Sequence, residues 1–202
     1  MDPRRKHYLQ YYQTREANDN MWKAPQGVHA FLRAYFHFKS ADWKGNQPFK
    51  LSGFTASELA KMPTYYIMDF AKGMAETAAE QMPSAKEVAE CKWLTDEELS
   101  VYTAEFSRTG FQGGLQWYRY IGAKYATELG MFSDRTIDVP ACYISGKSDW
   151  GVYQNPGAFE KMQTSACTTQ WRGAYLVEGA GHWVQQERPE DVIKLLLQFI
   201  RG

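Results

Sequence analysis

Two short apolar runs, at residues 140–145 and 174–177, each end in a Gly-containing loop and each lead into a helical pattern; no other feature constrains the fold as strongly. A chain that leaves a strand by a helix and returns as a strand makes a parallel pair, because only a long crossover brings it back to the same end of a sheet. The crossover helix is expected at 156–163. The final helix has the clearest local signals: Pro189 in its first turn, Glu190 and Asp191 at its positive end, and Val192, Leu195, Leu196 and Phe199 on one face. Parallel strands need cover on both faces, and two short strands do not make an independently stable sheet. The pattern therefore predicts the carboxyl-terminal part of a larger fold, with the rest of the sheet outside these residues.

The two loops carry the chemistry. The first, Ile144-Ser145-Gly146-Lys147-Ser148-Asp149, ends in an acid; the second, Gly179-Ala180-Gly181-His182-Trp183, presents a histidine. An imidazole titrating near neutrality suits a base that activates water, and a carboxylate can fix its tautomer and stabilise its charged form. Taken alone, Asp149 reads as a turn residue; its pairing with His182 at matching strand ends favours a functional role. Ser148-Asp149-Trp150-Gly151 also looks like part of a nucleophile elbow. Lys147 occupies a position that such an elbow reserves for a small residue, and an Asp149 nucleophile would leave His182 without an acid between them, so that reading is rejected.

Before residue 133 the chain is aromatic-rich, Met-rich and helical in period. Within 25–39, Val28, Phe31, Leu32 and Tyr35 fall on one helical face behind Pro25, and at 95–107 a Thr95–Glu98 capping box precedes Leu99, Tyr102 and Phe106. The cluster at 44–48, Pro63 and Pro83 mark turns or helix starts. A domain division follows: a helical region at 1–133 and an α/β region at 134–202.

The 23 basic and 23 acidic side chains cancel, which removes the long-range attraction to phosphate or anionic lipid, so nucleic acid is not an expected partner. Arg4-Arg5-Lys6 is expected as a solvated end. The chain opens with no apolar leader and has no run long enough to span a bilayer, which predicts a cytoplasmic protein. Cys91, Cys142 and Cys167 are odd in number and widely spaced, as reduced thiols would be, and Cys142 is expected as a small buried hydrophobe. None of them has metal-ligand spacing.

Acid then histidine, on loops after successive strands, is the order of the last two triad members in α/β-hydrolases, and the C-terminal 70 or so residues resemble the end of that fold. The helical part resembles the cap of the epoxide hydrolase group. Tyr8-Leu9-Gln10-Tyr11-Tyr12-Gln13 is similar to that family's first cap segment, and Gly110-Phe111-Gln112-Gly113-Gly114-Leu115-Gln116-Trp117-Tyr118-Arg119 to its second. The resemblance implies a partial α/β-hydrolase fold, a helical cap followed by the last two parallel strand-helix units of the core. It implies that Tyr8 and Tyr118 are paired lid tyrosines; Tyr11 and Tyr12 compete for the first position, since Tyr11 shares roughly a helical face with Tyr8. Two phenols can hydrogen-bond the alkoxide that forms as an epoxide opens.

In the family an aspartate on an elbow forms an ester with the substrate, and the His-Asp pair activates the water that cleaves it. These residues contain no Gly-x-Asp-x-Gly, Gly-x-Ser-x-Gly or His-Gly-x-Pro segment, so the chain by itself is expected to be nearly inactive. The implied substrate is small and apolar, with Trp117, Trp150 and Trp183 as its lining, and the chemistry needs water and no cofactor. The same loops serve dehalogenases and carbon-carbon bond hydrolases of the superfamily, for which tryptophan donors at a halide are the distinguishing feature. A non-catalytic ligand-binding or interaction protein, docking or self-associating through an unpaired strand edge, is the alternative from another class.

Overall fold

The computed structural model describes residues 4–121 and 126–202. The start of the chain, on which the absence of a leader was read, lies outside the described residues at positions 1–3. In chain order the elements are β1 (Arg5–His7), α1 (Tyr8–Gln13), α2 (Glu16–Trp22), α3 (Gly27–Lys39), α4 (Ala56–Leu59), β2 (Ile67–Asp69), α5 (Met74–Ala79) and α6 (Ala85–Glu90). Then come α7 (Asp96–Thr109), α8 (Gln112–Ile121), α9 (Ala126–Leu129), β3 (Ala141–Gly146), α10 (Ala158–Met162), β4 (Trp171–Val177), α11 (Val184–Glu187) and α12 (Pro189–Arg201). They divide into two compact units, one of residues 1–38 and 63–133 and one of residues 39–62 and 134–202. Residues 39–62 group with the strand-bearing residues 134–202.

In the first unit α3 is the central helix. Its stripe at Phe31 and Leu32 is buried as the spacing implies, but Arg33, Ala34, Phe36, His37 and Phe38 are buried too, so the helix is covered nearly all round rather than on one face. Arg33 is tolerated there because its guanidinium donates to the Leu94 carbonyl at 2.8 Å and to Asp96 at 2.6 Å. The Thr95–Glu98 capping box forms, with the Glu98 N–H on Thr95 Oγ1 at 3.2 Å and the Thr95 N–H on the Glu98 carboxylate at 2.8 Å. The helix that follows runs two residues past 107, because nothing opposes it until Gly110 takes up φ 65°.

Arg4 and Arg5 are exposed, as a solvated end would be, but Arg4-Arg5-Lys6 is also structured and partnered. Arg5 and Lys6 belong to β1, antiparallel to β2 with Arg5 opposite Asp69, and the Arg5 guanidinium lies 3.1 Å from that carboxylate. Arg4 stacks over the Phe70 ring at 4.6 Å. A charged run can line a short edge strand when the partner strand supplies the opposite charge and a ring.

In the second unit β3 and β4 pair in parallel, with Tyr143 opposite Ala174 and Gly146 opposite Val177. β4 begins three residues before position 174, passing an irregularity in the register with Gly173 at φ 118°. Among the described residues this sheet has two strands. Cys142 is half-buried rather than buried, since a strand with one neighbour cannot enclose its small side chains. On α12, Val192, Leu195 and Phe199 are half-buried. Ile193, Leu196, Leu197 and Ile200 are 56%, 43%, 44% and 75% exposed, so Leu196 leaves the inward stripe that the spacing gave it. A helix apolar on two sides with one side in water has more greasy surface than this sheet covers. Among the described residues no helix is long and apolar enough to cross a membrane.

Candidate active site

Asp149 and His182 meet where β3 and β4 end. The β3 loop folds back so that the Lys147 N–H donates to the Val177 carbonyl and the Ser148 N–H to the Ala180 carbonyl, each at 2.9 Å. Gly146 makes this approach possible: a Cβ there would lie 2.1 Å from the Gly181 oxygen and 2.3 Å from that of Ala180, both backbone atoms. Asp149 then caps the 3-10 turn Trp150–Val152, accepting the Gly151 N–H at 2.7 Å on Oδ1.

His182 Nδ1 lies 3.1 Å from Asp149 Oδ2 and 3.3 Å from Oδ1. A carboxylate can only accept, so Nδ1 carries the proton and Nε2 keeps the lone pair. Burial alone would raise the Asp149 carboxyl; the His182 hydrogen bond and charge, the Gly151 N–H and the Lys39 charge outweigh it and hold the group below the ordinary carboxylate range. Ser145 Oγ adds a long contact of 3.4 Å to Oδ2. For His182, burial lowers the imidazole, the Lys39 charge lowers it further, and Asp149 opposes both without reversing the net shift.

The His182 loop is held by two residues to which the sequence reading gave no role. The His182 N–H donates to the Lys39 carbonyl at 2.9 Å, at the end of α3. Glu187 accepts the N–H groups of Gly181 at 2.9 Å, Trp183 at 3.0 Å and Ala41 at 2.8 Å. Burial raises the Glu187 carboxyl, and these three donors only partly offset it. The signals available in the sequence were Glu187 four residues after Trp183, where a side chain can reach back over one helical turn, and Lys39 closing a helix rich in apolar and aromatic residues.

The tyrosines belong to the first unit. The rings of Tyr8 and Tyr118 are 5.9 Å apart and nearly perpendicular, and both side chains are half-buried. Tyr12 is buried, and its hydroxyl lies 3.1 Å from that of Tyr35; Tyr11 is buried as well. Of the three tyrosines on α1, Tyr8 is therefore the one left partly accessible beside Tyr118. The three tryptophans have different settings. Trp117 is 68% exposed, Trp150 is buried with its ring 5.0 Å from Phe49, and Trp183 is half-buried with its ring 4.9 Å from His182. The Trp150 indole N–H is buried with no hydrogen-bond partner among the described residues. Those residues also hold no cluster of His, Cys, Asp and Glu suited to a metal ion.

No family model matches the chain. It is 39% identical over 113 residues to epoxide hydrolase A of Mycobacterium tuberculosis, covering 54% of this chain and 33% of that protein. It is 31% identical over 112 residues to epoxide hydrolase 1 of Siraitia grosvenorii, covering 54% and 35%. The crystal structure of epoxide hydrolase A from Mycobacterium thermoresistibile superimposes with a TM-score of 0.70 at 28% identity, covering 98% of this chain and 53% of that one. Potato (Solanum tuberosum) epoxide hydrolase I does so with a TM-score of 0.68 at 27% identity, covering 96% and 52%. The chain thus spans about a third of the length of these curated relatives and about half of the solved structures.

Proposed function

We propose, from the premise that this chain is an epoxide hydrolase-like part of the α/β-hydrolase fold, that it supplies the lid tyrosines and the water-activating pair of an epoxide hydrolase. The observation that carries the proposal is the contact of 3.1 Å between His182 Nδ1 and Asp149 Oδ2 at the ends of two parallel strands. It leaves Nε2 as the proton acceptor, which is what hydrolysis of a covalent ester requires of a base.

The reaction would run in two steps. A carboxylate borne by polypeptide outside these residues attacks a ring carbon; the new C–O bond forms as the epoxide C–O bond breaks, and the oxygen released takes a proton from the phenol of Tyr8 or Tyr118. Burial raises the Tyr118 hydroxyl above the ordinary phenol range, so it is a protonated donor at neutral pH. Water then attacks the ester carbonyl while His182 Nε2 takes one of its protons; as the acyl C–O bond breaks, the departing alkoxide takes the water's other proton, the diol leaves and the carboxylate is restored. The proton on His182 returns through solvent to the phenolate, so the sum is epoxide plus water giving diol. Asp149 holds the imidazole and balances its charge in the second step. Trp183, against His182, is the proposed apolar lining beside the base, and the substrate is a small apolar epoxide.

One observation favours a second reading. The unpartnered indole N–H of Trp150, directly after Asp149, is the kind of donor that would steady a departing halide. One experiment separates the two: the chain is produced continuous with, or together with, an amino-terminal hydrolase half bearing the Gly-x-Asp-x-Gly and His-Gly-x-Pro segments, and is assayed on aryl and alkyl epoxides, haloalkanes and carboxylic esters. Diol formation that collapses in His182→Gln is the expected result. A folded product that consumes haloalkane or ester but no epoxide overturns the substrate, and turnover indifferent to His182 overturns the roles.

A further inference from the structure

We propose that Lys39 is a positioning residue for His182: its buried ammonium, held against the Trp183 ring at the end of α3, keeps the imidazole uncharged and therefore available as a base. The inference rests on the reading of His182 as the water-activating base and names a residue through which that base is tuned.

The geometry ties the two residues twice. The main-chain oxygen of Lys39 accepts the His182 N–H at 2.9 Å, and the contact is so close that a Cβ on Gly181 would lie 2.6 Å from the same oxygen. The side chain runs to Trp183, with Nζ 5.6 Å from the ring centroid, and the His182 ring meets that same indole edge-on at 4.9 Å. Lysine and histidine are thus neighbours through one aromatic ring, in a place where Lys39 is only 6% exposed. A tryptophan face is the best aromatic seat for a cation, and water is too scarce there to screen it fully.

A buried lysine is costly, and a site that needed only the four-carbon stem would take a methionine. What the ammonium adds is a fixed positive charge beside a group that must not hold a proton before it takes one from water. Burial lowers the Lys39 amine to about 8, with Asp149 opposing, so it is still largely charged across the range where an imidazole titrates. The other charged groups around His182 are Asp149 in the β3 loop, which favours the imidazolium, and Glu187 on α11, bonded to the N–H groups on either side of His182. Asp42 faces Glu187, and Tyr143 on β3 faces Asp149. Among the described residues whose charge acts on His182, Lys39 is the cation and Asp149 the anion. Against the pull of Asp149, it lets the triad acid orient His182 without charging it in the resting state.

The test is an NMR titration of the His182 ring in the 202-residue chain, comparing wild type with Lys39→Met, which keeps the stem, and Lys39→Arg, which keeps the charge. The His182 midpoint is expected to move up in Lys39→Met and to stay near wild type in Lys39→Arg. An unchanged midpoint in a folded Lys39→Met overturns the proposal, because loss of packing alone gives no charge-dependent shift. If Lys39→Met does not fold, the wild-type chain decides through the Cε signal of Lys39: titration above the His182 midpoint supports the proposal, and titration below it overturns it, since the amine would then be neutral when the imidazole charges. None of these readouts requires turnover, so a failure here is distinguishable from a failure of the hydrolase assay.

Discussion

Glu187 grips the main chain on both sides of His182, taking the N–H of Gly181 on one carboxylate oxygen and that of Trp183 on the other. The oxygen that holds Gly181 also takes the N–H of Ala41, so one buried side chain joins the histidine loop to the segment after α3. Replacement by alanine strands these donors, and an unmet buried donor costs about 1–3 kcal/mol. Glu187→Ala is therefore expected to lower the stability of the second unit by roughly 3 kcal/mol or more, and Glu187→Gln, which keeps one acceptor oxygen, by less. Urea unfolding followed by tryptophan fluorescence checks the order, and equal losses in the two variants would contradict the clamp.

Asp149→Asn tests the other support of the imidazole. An amide in place of the carboxylate removes the charge that raises the His182 midpoint and can present N–H where Nδ1–H needs an acceptor. The His182 midpoint should fall further below its ordinary value, and the ring nitrogen shifts should show the other tautomer gaining population. In a product complemented with a nucleophile, turnover should drop by about 10⁴-fold, the size of the loss when a triad aspartate becomes asparagine.

The sign of the pH dependence follows from the same pair. The folded pKa of His182 lies below that of the unfolded chain, so its contribution to stability is complete above about pH 6.5 and is lost as pH falls through the window beneath that value. Asp149, also lowered, adds a second loss as pH falls below about 4, where the unfolded carboxyl takes up a proton first. His7 is lowered by burial as well, so the measurement is a difference: the fall in unfolding midpoint between pH 7 and 5 should be smaller in His182→Gln than in wild type. An identical fall in both would assign the acid sensitivity elsewhere.

The pair of loops was legible because Gly146 and Gly181 mark places where two backbones touch, and glycine is visible in a sequence as almost nothing else is. The capping box at Thr95 and the proline start of α12 were legible for a related reason, being local rules satisfied by adjacent residues. Lys39 and Glu187 were not. Each acts on His182 by a contact the chain makes only after folding, Lys39 across more than a hundred residues and Glu187 by turning back through α11 to main-chain atoms that look alike in any sequence. The charge of Arg4 to Lys6 pointed to solvent, where Arg4 and Arg5 do lie, but not to the partner surface that Asp69 and Phe70 provide.

Gly146→Ala isolates the contact between the two loops from the charges. The added methyl would meet two carbonyl oxygens of the other loop at less than any real Cβ contact, and neither oxygen is on a side chain that can swing away. Overpacking of this kind typically costs 1–3 kcal/mol and more where backbone must move, so a loss of roughly 3 kcal/mol is expected, with the His182 ring signals shifted as the loops part. A stable Gly146→Ala with unshifted His182 signals would mean that the loops stand further apart than described.

The outer face of α12 supports the last prediction. Ile193 and Ile200 are more than half exposed on a helix whose other side already packs on β4, and Ile137 and Val139, leading into β3, are exposed to 52% and 64%. Exposed apolar side chains on this face of α12, next to a sheet that has two strands among the described residues, invite a second copy of the chain when nothing else covers them. The purified chain is expected to sediment as concentration-dependent oligomers, and Ile193→Glu with Ile200→Glu to shift it toward monomer by putting two charges where the contact would have to exclude water. Oligomers that persist in the charged variant would place the association on another face of the molecule and remove α12 from the account.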